Sequence, residues 1–279
     1  MNAPRELGPI SGEAAGVPFI AFAPEADHEA AATVVVWHLH DPPRSETAMA
    51  AALPLGDVDA WRVYLGLPLS GTRLPPGGLD AFFALGYEEA VLKLYGPTVR
   101  QAVHEFPTAL MDLRRGLGVG RSAIAFVGAS IGALVAASVV ASGEPAAAAL
   151  ALVSPALRLE RVVAMNERRF GVGYAWTDES RAVAAELDFI TREPELAERK
   201  VPTLLVVGAD DDEDGITNPA EQLRDGLNDH GVDASLVRIP GMGHALAVEP
   251  GLEPAPQTAA AAAVDKTVAR WLKTHLREP

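Results

Sequence analysis

Apolar residues in this chain come in short runs, broken by glycine, proline and charge. Residues 33–39 (Thr-Val-Val-Val-Trp-His-Leu) are β-branched or aromatic at almost every position, which predicts a strand buried on both faces. Strands are also predicted at 61–69, 147–153, 203–207 and 235–239. Residues 17–23 read as an edge strand with Pro18 at its start. Residues 124–127 are four apolar positions followed by two glycines that flank a serine. An alanine-rich apolar run then continues to about Ala141. That order predicts a buried strand, a sharp turn and a buried helix.

Helical patterns fill most of the remaining spaces. A short helix is expected at 45–53 and an amphipathic one at 219–229. A C-terminal helix is expected at 258–276, alanine-rich on one side and closed by Trp271 and Leu272. Residues 79–118 read as mainly helical and divided by Pro97 and Pro107, with a helix starting at Pro107 and ending near Arg115. Residues 24–29, 70–78 and 249–256 read as turns and loops. Alternating strands and helices with short buried strands predict an α/β fold: a mostly parallel central sheet flanked by helices. Residues 157–200 are charged, carry aromatic residues between the charges and contain no sheet-like run. They are expected to form a small helical cap inserted before the strand at 203–207. The core domain is then 1–156 with 201–279, and the cap is 157–200.

Composition narrows the classes. Hydrophobic residues make up 49%, enough for a substantial core. There is no unbroken apolar run of about 20 residues, so no membrane span is expected. The formal charge of −14 argues against nucleic acid or an anionic membrane as partner. The absence of cysteine excludes disulfides, thiolate metal sites and cysteine catalysis. Residues 1–17 carry Arg5, Glu6 and Glu13 with no apolar core, unlike a signal peptide, so a cytoplasmic protein is expected. Oligomerisation is compatible with this composition.

The candidate chemistry starts at Gly128-Ala129-Ser130-Ile131-Gly132. A serine on a tight strand-to-helix turn adopts a positive φ. The residues two before and two after it then crowd each other, and glycine relieves the crowding. Ser130 and the N–H of Ile131 would stand at a helix N-terminus, where developing negative charge is favoured. The plainer alternative is a serine that only caps the helix. A serine nucleophile needs a base, and the base needs an acid to orient it. Asp211 follows one strand, in the acidic cluster 210–214, where Asp210 and Asp212 are the alternative acids. His244, in a glycine-rich loop, follows the last. Strand C-termini of an open parallel sheet share one edge, so the three can converge. His28, His104, His230 and His275 sit in polar or helical contexts and read as surface.

Three segments carry a resemblance to the α/β-hydrolase superfamily of serine esterases, lipases and peptidases. Gly128-Ala129-Ser130-Ile131-Gly132 resembles its nucleophile elbow. Pro202-Thr203-Leu204-Leu205-Val206-Val207-Gly208-Ala209-Asp210-Asp211 resembles its acid strand. Pro240-Gly241-Met242-Gly243-His244-Ala245 resembles its histidine loop. The resemblance implies a carboxylesterase-like serine hydrolase working through an acyl-enzyme, with Ser130 as nucleophile, His244 as base and Asp211 as acid. A prolyl-oligopeptidase-type peptidase and a thioesterase are the alternatives. It implies a small-molecule acyl substrate and no cofactor or metal. One oxyanion donor would be the N–H of Ile131. The family usually places His-Gly after the strand preceding the elbow. Here the residues are His38-Leu39-His40-Asp41-Pro42-Pro43, and prolines have no N–H. The second donor must then come from Leu39, His40 or Asp41, with His40 preferred. The aromatic residues Phe170, Tyr174, Trp176 and Phe189 either pack the cap or line a pocket, and Phe170, Tyr174 and Trp176 are the substrate-binding candidates.

Two rival classes remain. His38-x-His40 on a strand would point both imidazoles to one face, as in some metal sites. The sequence supplies no second histidine cluster to complete one. A binding protein that keeps the fold without turnover is the other rival, and the altered loop at 38–43 is its best support.

Overall fold

The computed structural model describes residues 8–25 and 31–276, so His28 and most of the turn expected at 24–29 lie outside the described residues. Eight strands form one sheet in the order β1-β2-β4-β3-β5-β6-β7-β8. They are β1 (Ile10–Ala14), β2 (Val17–Phe22), β3 (Thr33–Trp37), β4 (Trp61–Leu65), β5 (Ile124–Ala129), β6 (Ala149–Val153), β7 (Thr203–Gly208) and β8 (Ala234–Ile239). From β4 through β8 every neighbouring pair is parallel. β2 is antiparallel to both β1 and β4.

The first hairpin corrects the sequence reading. β2 is not an edge strand, because β1 pairs along its outer side. Ala15 and Gly16 join them with φ of 49° and 82°, the left-handed pair that a two-residue hairpin needs. Pro18 is accommodated because it serves as an acceptor, its carbonyl taking the N–H of Gly66 at 2.8 Å.

Nine helices cover the faces among the described residues: α1 (Glu46–Ala52), α2 (Gly78–Glu89), α3 (Gly96–Leu117), α4 (Ile131–Ser142), α5 (Leu159–Phe170), α6 (Asp178–Glu186), α7 (Glu193–Arg199), α8 (Asn218–Asp229) and α9 (Ala259–His275). Alternation along each strand divides the core in two. Val35, Trp37 and Phe126 face the layer holding α3 and α4. Val34, Val36 and Val127 face the layer holding α1 and α9. Trp37 anchors the first layer, with its ring centroid 5.2 Å from Phe106 and 6.0 Å from Phe126.

Pro107 does not start a helix. α3 runs through it for 22 residues, with Pro97 in the first turn. Pro107 lies on the solvent face, while Phe106, Ala109 and Leu110 hold the same helix to the core. That packing outweighs the hydrogen bond the proline removes. The segment 157–200 holds α5, α6 and α7, and its buried Leu159, Val163, Val183, Phe189 and Leu196 join the core layer that contains α4. No helix among the described residues is long and apolar enough to cross a membrane.

Candidate active site

The parallel strands bring their C-terminal ends to one edge, and four loops meet there. Residues 38–43 follow β3, Ser130 follows β5, Asp211 follows β7 and His244 follows β8. Ser130 caps α4 with φ 50° and ψ −114°, a strained conformation for a non-glycine residue. The flanking glycines are obligatory. A Cβ on Gly128 would stand 2.2 Å from the carbonyl oxygen of Gly132, and one on Gly132 would stand 2.5 Å from that of His38. The second contact also presses the loop after β3 against the first turn of α4.

The side chains expected to act together do meet. His244 Nδ1 lies 3.0 and 3.2 Å from the two carboxylate oxygens of Asp211, and His244 Nε2 lies 2.8 Å from Ser130 Oγ. An ionised Asp211 only accepts, so Nδ1–H donates to it and Nε2 accepts from the serine hydroxyl. Asp211 Oδ1 also accepts the N–H of Asp212 at 2.8 Å. Burial by itself pushes the Asp211 carboxyl up. The hydrogen bond and charge of His244, with the Asp212 N–H, outweigh burial and hold it below the usual carboxylate range. Burial by itself pushes His244 down. The bond and charge of Asp211, then the charge of Asp41, outweigh it and raise the imidazole above its ordinary value.

The neighbouring aspartates do other work. Asp212 Oδ1 accepts the N–H of Gly215 at 2.7 Å, and both its oxygens take Arg168 Nη2 at 2.8 and 3.0 Å. Asp210 is exposed, and its N–H donates to the carbonyl of Met242.

His38 and His40 both lie beyond the end of β3 and part company there. His38 Nε2 accepts the N–H of Leu67 at 3.1 Å, and Nδ1–H donates to the Leu39 carbonyl at 2.7 Å. Both nitrogens are engaged, so His38 has none to offer a metal. Burial lowers its imidazole to about 4. The His40 ring lies edge-on to Phe82 at 5.1 Å and stacks on Tyr95 at 6.0 Å. Its Nε2 is 3.3 Å from Thr98 Oγ1, and its Nδ1 has no partner among the described residues. Burial first, then the charges of His38 and Arg44, lowers it to about 3. Among the described residues no cluster of His, Asp and Glu could hold a metal ion. The N–H of Leu39 donates to the Pro43 carbonyl at 3.3 Å.

A cavity of about 610 Å³ opens beside His244, lined by Asp41, Met165, Arg168, Arg169 and Asp212 among others. Phe170, Tyr174 and Trp176 are not among its lining residues. Phe170 is 50% exposed beside Tyr87. Tyr174 packs edge-on against Trp176 at 4.7 Å and donates its hydroxyl to Glu89. Phe189 is fully buried. Sequence reading missed Met165, Arg168 and Arg169, and gave Asp41 only as a possible backbone donor, with no role for its side chain. Only their place at the end of α5 and at the sheet edge, set by the tertiary fold, brings them to the site.

A model of the alpha/beta hydrolase fold family matches residues 97–248, more than half of the chain. The chain belongs to the alpha/beta hydrolase fold family. Solved structures share the fold of this α/β-hydrolase. TT1662 of Thermus thermophilus is 16% identical with a TM-score of 0.63, covering 98% of this chain and 100% of its own. Carboxyl esterase 2 of the mycorrhizal fungus Tuber melanosporum is 20% identical with a TM-score of 0.56, covering 96% and 87%. A puromycin-hydrolyzing peptidase of Mycobacterium tuberculosis is 15% identical with a TM-score of 0.66, covering 97% of this chain and 40% of that one. No curated protein matches the chain significantly.

Proposed function

We propose that this α/β-hydrolase is a serine hydrolase that cleaves a carboxylic ester or related acyl bond through an acyl-enzyme. The observation that carries the reading is the unbroken line from Asp211 through His244 to Ser130 Oγ, at 3.0 and 2.8 Å. Ser130 Oγ attacks the acyl carbon, and its proton passes to His244 Nε2. The tetrahedral intermediate collapses as Nε2–H gives that proton to the leaving oxygen. Water then repeats the sequence on the acyl-enzyme, with His244 again as base. Asp211 keeps its charge and holds the imidazole in the required tautomer.

The oxyanion is received by the N–H groups of Ile131 and His40. Ile131 opens α4 directly after the nucleophile. The turn bond from Leu39 to Pro43 favours His40 over Leu39 as the second donor. Residues 157–200 act as the cap, with Met165 and Arg169 of α5 lining the cavity beside His244. Phe170 and Tyr174 join that cap to α2 through Tyr87 and Glu89, and Trp176 packs with Tyr174 against the core. An esterase and a peptidase among the fold neighbours fit an acyl-transfer reaction.

Fluorophosphonate labelling tests the reading. The wild-type chain should label at Ser130, and Ser130→Ala should not label at all. An unlabelled wild-type chain would refute the serine mechanism.

A further inference from the structure

Asp41 follows the proposed oxyanion donor by one residue, and its side chain faces the proposed catalytic base. Its Oδ2 lies 3.9 Å from His244 Nε2, the nitrogen that also faces Ser130. Its Oδ1 lies 3.4 Å from Arg169 Nη1, at the end of α5. We infer that Asp41 is a positioning residue, whose carboxylate stabilises the imidazolium formed at His244 and whose effect is set by Arg169 as its counter-ion. This rests on the serine-hydrolase reading above.

The distances assign the role. At 3.9 Å Asp41 is beyond hydrogen-bonding range, so Ser130 at 2.8 Å keeps its bond to Nε2. Asp41 therefore acts as a charge and takes no proton. The proton leaving Ser130 Oγ goes to Nε2 and then to the leaving group, while both carboxylates stay ionised. Asp211 stabilises the ring from the Nδ1 side and Asp41 from the Nε2 side.

The other charged groups in the cavity leave this pair distinct. Asp210, Asp212 and Arg168 line the same cavity, and both oxygens of Asp212 hold Arg168. The buried Tyr95 phenol, which also feels the charge of Asp41, is pushed upward by burial and stays neutral. A bare carboxylate beside the oxyanion loop would oppose the negative charge that forms there. Arg169 offsets that opposition and, by the same charge, tempers the basicity of His244. Because Arg169 belongs to α5, the position of that helix and the basicity of His244 are linked.

Two readouts test this: an NMR titration of the His244 ring, and the pH dependence of fluorophosphonate labelling. Asp41→Asn is nearly isosteric and should lower the His244 midpoint and the acid limb of labelling by about half to one pH unit, the size of a partly exposed charge pair. Arg169→Gln should move both upward by less, and Asp41→Glu should return them toward wild type. Arg169 is half exposed, so its variant tests the pair even where Asp41→Asn fails to fold. An unchanged midpoint, or the same direction of shift in both variants, overturns the inference. Labelling slowed equally at every pH would mean that Asp41 only shapes its loop. If the wild-type chain does not label, the serine reading fails, and the ring titration still decides whether Asp41 acts on His244.

Discussion

The backbone of Gly208 rests directly against Met242: a Cβ added at Gly208 would stand 2.1 Å from the Met242 carbonyl oxygen. This contact joins the end of the strand carrying Asp211 to the loop carrying His244. The N–H of Asp210 secures it, donating to the same carbonyl at 2.9 Å. Gly208→Ala must push the two loops apart, and a misplacement of about 1 Å can cost roughly 10²-fold in rate. Gly243→Ala, whose new Cβ would meet nothing closer than 3.9 Å, should be nearly silent. Steady-state kinetics on the two variants checks the contrast.

Three adjacent aspartates should separate by role. Asp211→Asn leaves the shape intact but favours the wrong histidine tautomer, and should lower kcat by about 10⁴-fold. Asp212→Asn disturbs the Arg168 pair and the Gly215 turn, and Asp210→Asn alters an exposed side chain. Both should keep most of the activity. Equal effects at all three positions would show that the acid has been misassigned.

The elbow was legible because its chemistry is local. Gly128, Ser130 and Gly132 announce a close approach, and the apolar runs on either side announce strand and helix. Asp211 and His244 were legible as loop residues following strands. The β1–β2 hairpin was not, because residues 10–14 (Ile-Ser-Gly-Glu-Ala) are mostly exposed and Ala15 takes the left-handed turn position. The local rule that puts proline at a helix start does not hold at Pro107, because the packing of α3 overrides it. A pairing of His38 and His40 on one face needs a strand that runs through residue 40, and β3 ends three residues short of it, at Trp37. His275 was read as surface, yet it stacks on Trp271 at a centroid distance of 4.2 Å, a contact one helical turn away. Asp41 was legible only as a possible backbone donor, since the meeting of its side chain with His244 depends on the loops after β3 and β8 converging.

Stability and activity should respond to pH in opposite directions at the Asp211–His244 pair. His244 is raised when folded, so its contribution is full below the ordinary imidazole value of 6.5 and is lost as pH rises through the higher folded value. Asp211 is lowered when folded, so its contribution is present above the ordinary carboxyl value of 3.8 and is lost as pH falls through the lower folded value. The Tm advantage of wild type over His244→Gln should therefore shrink as pH rises above neutrality. The rate should climb over that same interval, because only neutral His244 accepts a proton. His38 and His40, held to about 4 and 3, act with the opposite sign. Their neutral burial favours folding above 6.5 and weakens it as pH falls, so wild-type Tm should drop between about pH 6 and pH 4.

His40 has a buried ring and an assigned backbone donor, and substitution separates the two. His40→Phe keeps the ring contacts with Phe82 and Tyr95 and removes the unpartnered Nδ1, so it should fold and retain kcat within a few-fold. His40→Ala leaves a void and should cost about 2–4 kcal/mol of stability, read by urea titration. His40→Pro removes the donor and should cost about 10²–10³ in kcat. Loss of activity in His40→Phe with the fold intact would assign the side chain a direct role.

The most direct test is the mass of the enzyme during turnover. Chain quenched in acid while hydrolysing an activated ester should carry one added acyl group, located by peptide mapping on the segment containing Ser130. Ser130→Ala should carry none and lose at least about 10³-fold in kcat. An unmodified wild-type chain, together with substantial activity in Ser130→Ala, would contradict the acyl-enzyme mechanism.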